Sequence, residues 1–120
     1  MKKILIAEDE KSLALTLYRK VSSLGYDCVQ ARDGVETLKK FKSEKPDLVL
    51  LDVVMPYKNG FEVLEEIRIH EHSNVPVIIL SNLGQDEDLR IAEKLKVNEY
   101  CIKSNISLQE LSTKIHELLP

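Results

Sequence analysis

Short, largely apolar segments alternate with longer amphipathic ones along the chain, and this alternation restricts the fold more than any other feature. The segment Leu48–Leu51 has no polar residue on either face, which is typical of a strand buried on both sides. Strands that alternate with helices indicate a parallel sheet covered by helices on both faces, with right-handed crossovers. We therefore predict an α/β, doubly wound fold with a five-stranded parallel sheet and five helices.

The apolar pattern also predicts the bounds of these elements. The predicted strands cover residues 3–7, 27–31, 48–52, 77–80 and 99–102. Helices are expected at 12–24, from 33, after 59–60, at 86–95 and from 107, with capping-box spacing at Asp33/Glu36 and Ser107/Glu110. Helical spacing turns these apolar residues toward the core: Leu13, Leu17, Val21, Leu24, Val35, Leu38, Phe41, Val63, Leu64, Ile67, Leu108, Leu111, Ile115 and Leu118.

Length, charge and cysteine content narrow the class of protein. The 120 residues suit one compact domain, and a formal net charge of -3 argues against a nucleic-acid-binding surface, which would be basic. No apolar run approaches the roughly twenty residues of a membrane span, and the amino-terminal apolar run leads straight into acids, unlike a signal peptide. Cys28 and Cys101 each fall in a predicted strand, which favours buried, reduced thiols in a cytoplasmic protein.

Polar side chains follow four of the predicted strands at the point where each strand ends. They are Glu8 and Asp9 after the first strand, Asp52 in the third, Ser81 after the fourth and Lys103 after the fifth. Each has an ordinary alternative, because acids often cap helices or form turns, serine is common in loops and lysine is usually solvated. In a parallel sheet, however, these ends share the edge at which doubly wound sheets bind ligands. Their convergence favours a functional site.

The charges at this edge predict a magnesium site. Three crowded carboxylates repel one another, and a divalent cation relieves that repulsion. Oxygen ligands in octahedral geometry suit Mg²⁺ held by one or two carboxylates and a phosphoryl oxygen. The ammonium of Lys103 and the hydroxyl of Ser81 would stabilise the charge of an added phosphoryl group. Asp52, in the middle of the sheet, is then the natural nucleophile and would form an acyl phosphate.

Four segments, "AEDE", "LLDVVMPYKNGFEVL", "ILSN" and "YCIKS", together resemble the receiver domain of two-component response regulators of the chemotaxis type. The resemblance covers essentially the whole chain and implies a flavodoxin-like sheet of order 2-1-3-4-5. It implies that Asp52 is phosphorylated by a histidine kinase or a phosphotransfer protein with the help of Mg²⁺. Asp9 would bind the metal directly and Glu8 through water. Asp52 and the backbone carbonyl of Val54 would be further ligands.

The same resemblance implies a switch around the phosphorylated residue. Ser81 would turn inward to bond a phosphoryl oxygen, and Lys103 would pair with the phosphoryl group. Tyr100 matches the aromatic switch residue of the family and would move inward as Ser81 moves. The residues alone favour a simpler explanation of Tyr100, as a tyrosine at the edge of the sheet with a solvated hydroxyl.

Three positions depart from the family pattern. Ser104 follows Lys103 where the family usually has proline, so a cis peptide bond is not expected there, because a non-proline cis bond costs about 2.5–4 kcal/mol. Asn82 stands where the family usually has a small residue, and Val54 stands where many members are polar. We hypothesise that Val54 and Asn82 change the lifetime of the acyl phosphate by limiting the approach of water.

Alternatives from other classes fit the sequence less well. A haloacid-dehalogenase-like phosphatase needs a second acid two residues after the nucleophile, where Val54 stands. A flavodoxin-like electron carrier needs a phosphate loop rich in glycine and hydroxyl groups after the first strand, where "EDEKS" would repel phosphate. A receiver-like interaction module that is not phosphorylated stays open, because Asn82 and Ser104 leave room for it.

These observations lead to a set of expectations for the chain as a whole. We expect one receiver domain over residues 1–120, with no effector domain in this chain. It would act as a phosphoacceptor that promotes its own phosphorylation and dephosphorylation rather than as an enzyme, in the cytoplasm. A histidine kinase or phosphotransfer protein is the expected partner, with no direct contact to nucleic acid or membrane. The output partner, and a homodimer that forms on phosphorylation, are left open.

Overall fold

The backbone alternates strands and helices as the apolar pattern predicts. The computed structural model describes all residues 1–120. Its strands are β1 (Lys3–Ala7), β2 (Asp27–Ala31), β3 (Leu48–Leu51), β4 (Val77–Ser81) and β5 (Glu99–Ile102). Its helices are α1 (Lys11–Ser23), α2 (Gly34–Glu44), α3 (Gly60–Glu65), α4 (Asp86–Lys94) and α5 (Leu108–Leu118), and α3 continues into a π-helical turn (Glu66–His70).

The five strands form one parallel sheet in the order β2-β1-β3-β4-β5. The predicted fold class and strand order are therefore confirmed. β3 ends one residue earlier than predicted and β4 ends one residue later, at Ser81. The Asp52 amide still donates to the Ala7 carbonyl of β1 at 3.0 Å. Asp52 therefore makes the last backbone hydrogen bond between β3 and β1, although it lies just past the end of β3.

Alternate residues of the central strands supply two separate cores. In β3, Val49 and Leu51 belong to the core under α2, α3 and α4, whereas Leu48 and Leu50 belong to the core under α1 and α5. All four residues of this strand are buried because helices cover both faces of the sheet. The residues that follow these strands are therefore held in place by a closely packed core on each side of the sheet.

Most of the apolar residues that helical spacing turned inward are buried or half-buried, but two of these predictions are wrong. Val35 and Leu108 are each 40% exposed. Val35 lies about 100° around α2 from the buried Gly34, and Leu108 is the first residue of α5. The buried residues of α2 are Gly34, Thr37 and the predicted Phe41, which share one face of the helix.

Side chains cap α2 and α5, which begin beside the carboxyl edge of the sheet. A capping box joins Ser107 and Glu110, as predicted, and Asp33 accepts from the Glu36 amide at 2.7 Å. No helix of the molecule combines the length and the apolar character that a membrane span requires.

Both cysteines lie in strands as free thiols, as predicted. Cys101 is buried and Cys28 is half-buried. Burial raises the pKa of the Cys28 thiol to about 12 and also raises the pKa of Cys101, so neither is a reactive thiolate at neutral pH.

The Arg68 guanidinium joins the loop before β4 to the loop before β5. It donates five hydrogen bonds of 2.7–3.3 Å to the carbonyls of Ser73, Val75, Leu95 and Lys96 and to the side-chain oxygen of Asn98. Burial lowers the pKa of this guanidinium, and its hydrogen-bonding partners are all neutral oxygens. The arginine therefore fixes the carboxyl end of α4 to the end of α3.

By contrast, α4 itself has a thin apolar face. Ala92 is its only buried residue, and Leu89 is 40% exposed. Its attachment at the carboxyl end thus depends strongly on Arg68.

We expect Arg68→Ala to lower the free energy of unfolding by about 3 kcal/mol, because four carbonyls and an amide oxygen lose a charged donor. Arg68→Lys should recover little of this, since an ammonium cannot present the planar fork. Urea denaturation gives the values. Arg90→Ala, which removes an exposed arginine of α4, is the matched control and should change stability by no more than about 0.5 kcal/mol. Equal losses in both alanine variants would contradict this role of Arg68.

Candidate functional site

Three carboxylates meet at the carboxyl ends of β1 and β3. Oxygen atoms of Glu8, Asp9 and Asp52 all lie within 4.8 Å of one another. Glu8 is 2% exposed and Asp52 is 4% exposed, whereas Asp9 faces solvent. The cluster predicted from the strand ends therefore has a buried floor and one open side.

Lys103 enters this cluster from the end of β5. Its ammonium lies 2.9 Å from Glu8 Oε1 and 3.2 Å from Asp52 Oδ2, and its side chain is only 15% exposed. The Lys103 amide donates to the Ser81 carbonyl at 2.9 Å, which ties this residue to the end of β4. The chain contains no cis peptide bond, so the bond to Ser104 is trans as expected. One lysine thus contacts both buried carboxylates.

The pKa values of Glu8 and Lys103 reflect two opposing effects, burial of each charged group and attraction between opposite charges. Burial raises the pKa of the Glu8 carboxyl, and the negative charge of Asp52 adds to this, although the hydrogen bond from Lys103 opposes it. Burial lowers the pKa of the Lys103 ammonium, but its hydrogen bond to Glu8 and the charge of Asp52 outweigh burial and raise that pKa overall. Lys103 is therefore a cation at neutral pH.

An open pocket of about 220 Å³ lies over the cluster. It is lined by the five residues predicted from the strand ends together with Glu10, Val54, Asn82 and Leu83. The Val54 amide donates a long hydrogen bond of 3.4 Å to Asp52 Oδ1, and the Val54 side chain is 60% exposed. Two of the three departures from the family pattern, Val54 and Asn82, thus border the space in front of Asp52.

Tyr100 reaches from β5 to the loop after β4. Its hydroxyl donates to the Leu83 carbonyl, while the Leu83 amide donates to Ser81 Oγ at 3.1 Å. Burial raises the pKa of this half-buried tyrosine, and the charge of Asp88 contributes in the same direction. The backbone of Leu83 therefore lies between the two residues of the predicted switch.

Sequence reasoning missed two residues of the site. Leu83 acts through its backbone, which no side-chain pattern reveals. Glu10 donates its amide to Glu8 Oε2 at 3.1 Å and lines the pocket. Its proximity to two other acids in the sequence is the one signal that could have included it.

Comparison with known proteins identifies the family of this chain. The family described as response regulator receiver domain matches residues 4–116. The chain belongs to this family. This receiver domain is 40% identical over 118 residues to the probable transcriptional regulator ycf27 of Cyanophora paradoxa, covering 98% of this chain and 48% of that protein. It is 34% identical to the alkaline phosphatase synthesis transcriptional regulatory protein PhoP of Bacillus subtilis, with the same coverage.

Solved structures agree in fold. The receiver domain of Francisella response regulator 1452 is 32% identical with a TM-score of 0.91, covering 98% of this chain and 96% of that one. A LuxR-family DNA-binding response regulator from Staphylococcus aureus is 28% identical with a TM-score of 0.92, and each chain is covered completely. The receiver domain spans about half the length of the two sequence relatives named above.

Two lysine–glutamate pairs allow a test of how much the buried cluster depends on its cation. Lys103→Met should lower the free energy of unfolding by about 2 kcal/mol in metal-free solution, because it leaves two buried carboxylates without a counterion. Lys114, which pairs with the half-buried Glu99 at 2.8 Å outside the cluster, is the matched control. Lys114→Met should cost less than about 0.5 kcal/mol. Chemical denaturation that gives equal losses would contradict the structural importance of Lys103.

Proposed function

We propose that the chain is a phosphoacceptor in which Asp52 receives a phosphoryl group from the phosphohistidine of a histidine kinase or phosphotransfer protein. The observation that carries this proposal is the position of Asp52. Its buried carboxylate lies within 4.8 Å of two further acids and 3.2 Å from the Lys103 ammonium. An anionic nucleophile beside a fixed cation and a metal-type cluster suits attack on phosphorus.

The donor atoms at the cluster fit Mg²⁺. They are carboxylate oxygens with one side open to water, the ligands that this ion accepts while it keeps part of its hydration shell. Asp9 and Asp52 would bind it directly, with the Val54 carbonyl as a further ligand and Glu8 acting through water. When bound, Mg²⁺ would offset the negative charge on the phosphoryl oxygens.

In the transfer step, one Asp52 carboxylate oxygen forms a bond to phosphorus while the phosphorus–nitrogen bond of the donor breaks. The electron pair of that bond leaves with the imidazole, which takes up a proton from solvent. Lys103, already 3.2 Å from Asp52, stabilises the phosphoryl oxygens as the carboxylate loses its charge to the new bond. Ser81, at the end of β4, donates its hydroxyl to another phosphoryl oxygen.

The signal then passes to the loop after β4. When the Ser81 hydroxyl turns to the phosphoryl group, its bond from the Leu83 amide changes, and the Leu83 carbonyl is the acceptor of Tyr100. The ring of Tyr100 and the thinly packed α4 respond to this change. By resemblance to the family, the output surface would be α4, β5 and α5.

Phosphorylation of Asp52 can be tested with a small phosphodonor. Incubation with Mg²⁺ and acetyl phosphate should add one phosphoryl group, seen by mass spectrometry of the intact protein, and chelation of Mg²⁺ should abolish it. Asp52→Asn should show no addition. Asp47→Asn, which removes an acid on the opposite edge of the sheet, is the control and should be phosphorylated like the parent.

The same experiment separates the proposal from its alternative. A parent protein that takes up no phosphoryl group from acetyl phosphate and gives no spectroscopic response to beryllofluoride would favour a receiver-like interaction module that works without phosphorylation.

Two side chains in front of Asp52 should set the lifetime of the acyl phosphate. Val54 and Asn82 border the pocket and limit the position of an attacking water. We expect Val54→Asn to hasten dephosphorylation roughly tenfold, because the side-chain amide of asparagine can orient an attacking water. A tenfold faster rate corresponds to a barrier about 1.4 kcal/mol lower. Asn82→Ala should widen access and change the rate in the same direction. Loss of the phosphoryl group is followed by mass spectrometry or ³²P release.

Val35→Asn is the matched control for these rates, because Val35 is an exposed valine that does not line this pocket. Its dephosphorylation rate should equal that of the parent. Parent-like rates in Val54→Asn and Asn82→Ala as well would contradict the role of both residues.

The cellular setting follows from the same proposal. We propose that residues 1–120 form a single receiver domain that works in the cytoplasm and promotes its own phosphorylation and dephosphorylation rather than acting on other substrates. The net charge of -3 supports the absence of direct nucleic-acid contact. Two relatives are named as transcriptional regulators, so control of transcription is the first output to examine. Dimerisation on phosphorylation can be followed by light scattering.

A further inference from the structure

The loop between β3 and α3, residues 52–59, carries both Asp52 and Val54, and its position therefore matters for the whole cluster. At its base the Gly60 amide donates to the Val53 carbonyl at 2.7 Å. A Cβ atom at position 60 would lie 2.8 Å from the Val53 Cα, so the two ends of the loop are in close backbone contact. On the inner side, Met55 packs into the core.

The outer side of this loop rests on a different element, the first residue of α2. The Gly34 amide donates to the Pro56 carbonyl at 3.2 Å. A Cβ atom at position 34 would lie 2.5 Å from the Lys58 Cβ and 2.7 Å from its carbonyl carbon, closer than such atoms approach in proteins. Only glycine therefore lets α2 and the loop meet at this distance.

The turn of the loop at this contact has few side-chain restraints, among them a long ion pair of 3.7 Å between Lys58 Nζ and Glu66 Oε1. Tyr57 has a φ of 69°, which a bulky residue rarely adopts, and the Lys58 amide closes a γ-turn on the Pro56 carbonyl at 2.9 Å. Tyr57 is 84% exposed and adds little packing. Contact with Gly34 is thus a main restraint on this part of the loop.

The same segment of chain also touches the other half of the cluster. The Ala31 carbonyl, at the end of β2, accepts from the Glu8 amide at 3.0 Å. Three residues later Gly34 holds the loop that carries Asp52. The segment 31–34 therefore bridges the loop that bears Glu8 and Asp9 and the loop that bears Asp52. Asp33 stiffens it by accepting from the Glu36 amide at 2.7 Å.

We propose that Gly34 is a positioning residue for the metal and phosphoacceptor site. By direct backbone contact it sets the distance between the acidic pair after β1 and the loop that holds Asp52 and the Val54 carbonyl. Gly34 touches no ligand and acts through that loop. The inference rests on the proposed function for the identity of the metal.

The test compares Mg²⁺ affinity in two glycine variants by NMR titration. Gly34→Ala should bind Mg²⁺ about tenfold more weakly than the parent, the size of effect usual for residues that orient metal ligands. It should also shift the Asp52 and Val54 amide resonances before any metal is added. Gly25→Ala is the control for backbone strain, because Gly25 has a φ of 92° with open space around it. Its Mg²⁺ affinity should match that of the parent.

Asp33→Ala keeps the test decisive if Gly34→Ala fails to fold, because it loosens the start of α2 without adding any atom. It should weaken Mg²⁺ binding severalfold and speed amide exchange at Gly60. Affinities within twofold of the parent in every variant that folds, with unchanged Val54 resonances and unchanged Gly60 exchange, would overturn the role of Gly34. Mg²⁺ binding by a parent that acetyl phosphate cannot phosphorylate would contradict the proposed function alone. A parent that binds no Mg²⁺ would overturn both.

Discussion

The contact of one lysine with two buried carboxylates is the interaction on which the rest of the site depends. Glu8 and Asp52 come from neighbouring strands and are almost fully buried, and unpaired acids in such surroundings would take up protons. Lys103 lies within 3.2 Å of both and keeps a cation at the point where a phosphoryl group would arrive. The cation and both buried acids of this arrangement are side chains of the protein itself.

That arrangement is available only because the sheet brings the strand ends into register. The Glu8 amide donates to the Ala31 carbonyl, and the Asp52 amide donates to the Ala7 carbonyl. Each acid is therefore fixed by a backbone hydrogen bond to the neighbouring strand. Both faces of the central strands are packed by helices, so polar groups from several strands can meet only at the ends of the strands. The packing that buries the strands therefore also brings the site residues together.

The fold and the convergence of the five strand-end residues on one pocket could be predicted from sequence, because strand ends are marked by abrupt changes from apolar to polar residues. Helical spacing was a weaker guide, because Val35 and Leu108 are exposed: Val35 lies off the buried face of α2, and Leu108 is the first residue of α5. Leu83 and Gly34 could not be predicted at all. Both act through backbone atoms, and what Gly34 contributes is the absence of a side chain.

The two ends of α4 are held in different ways, which suggests how a local change becomes a change of surface. At the carboxyl end, the five hydrogen bonds of Arg68 fix the chain to its neighbours. At the amino end, a single residue, Leu83, connects the helix to the site: its amide binds Ser81 and its carbonyl binds Tyr100. Under the proposed function, a hydroxyl that turns toward a phosphoryl group must alter that one residue, and with Ala92 as its only buried side chain α4 offers little resistance. The helix would therefore move about its carboxyl end.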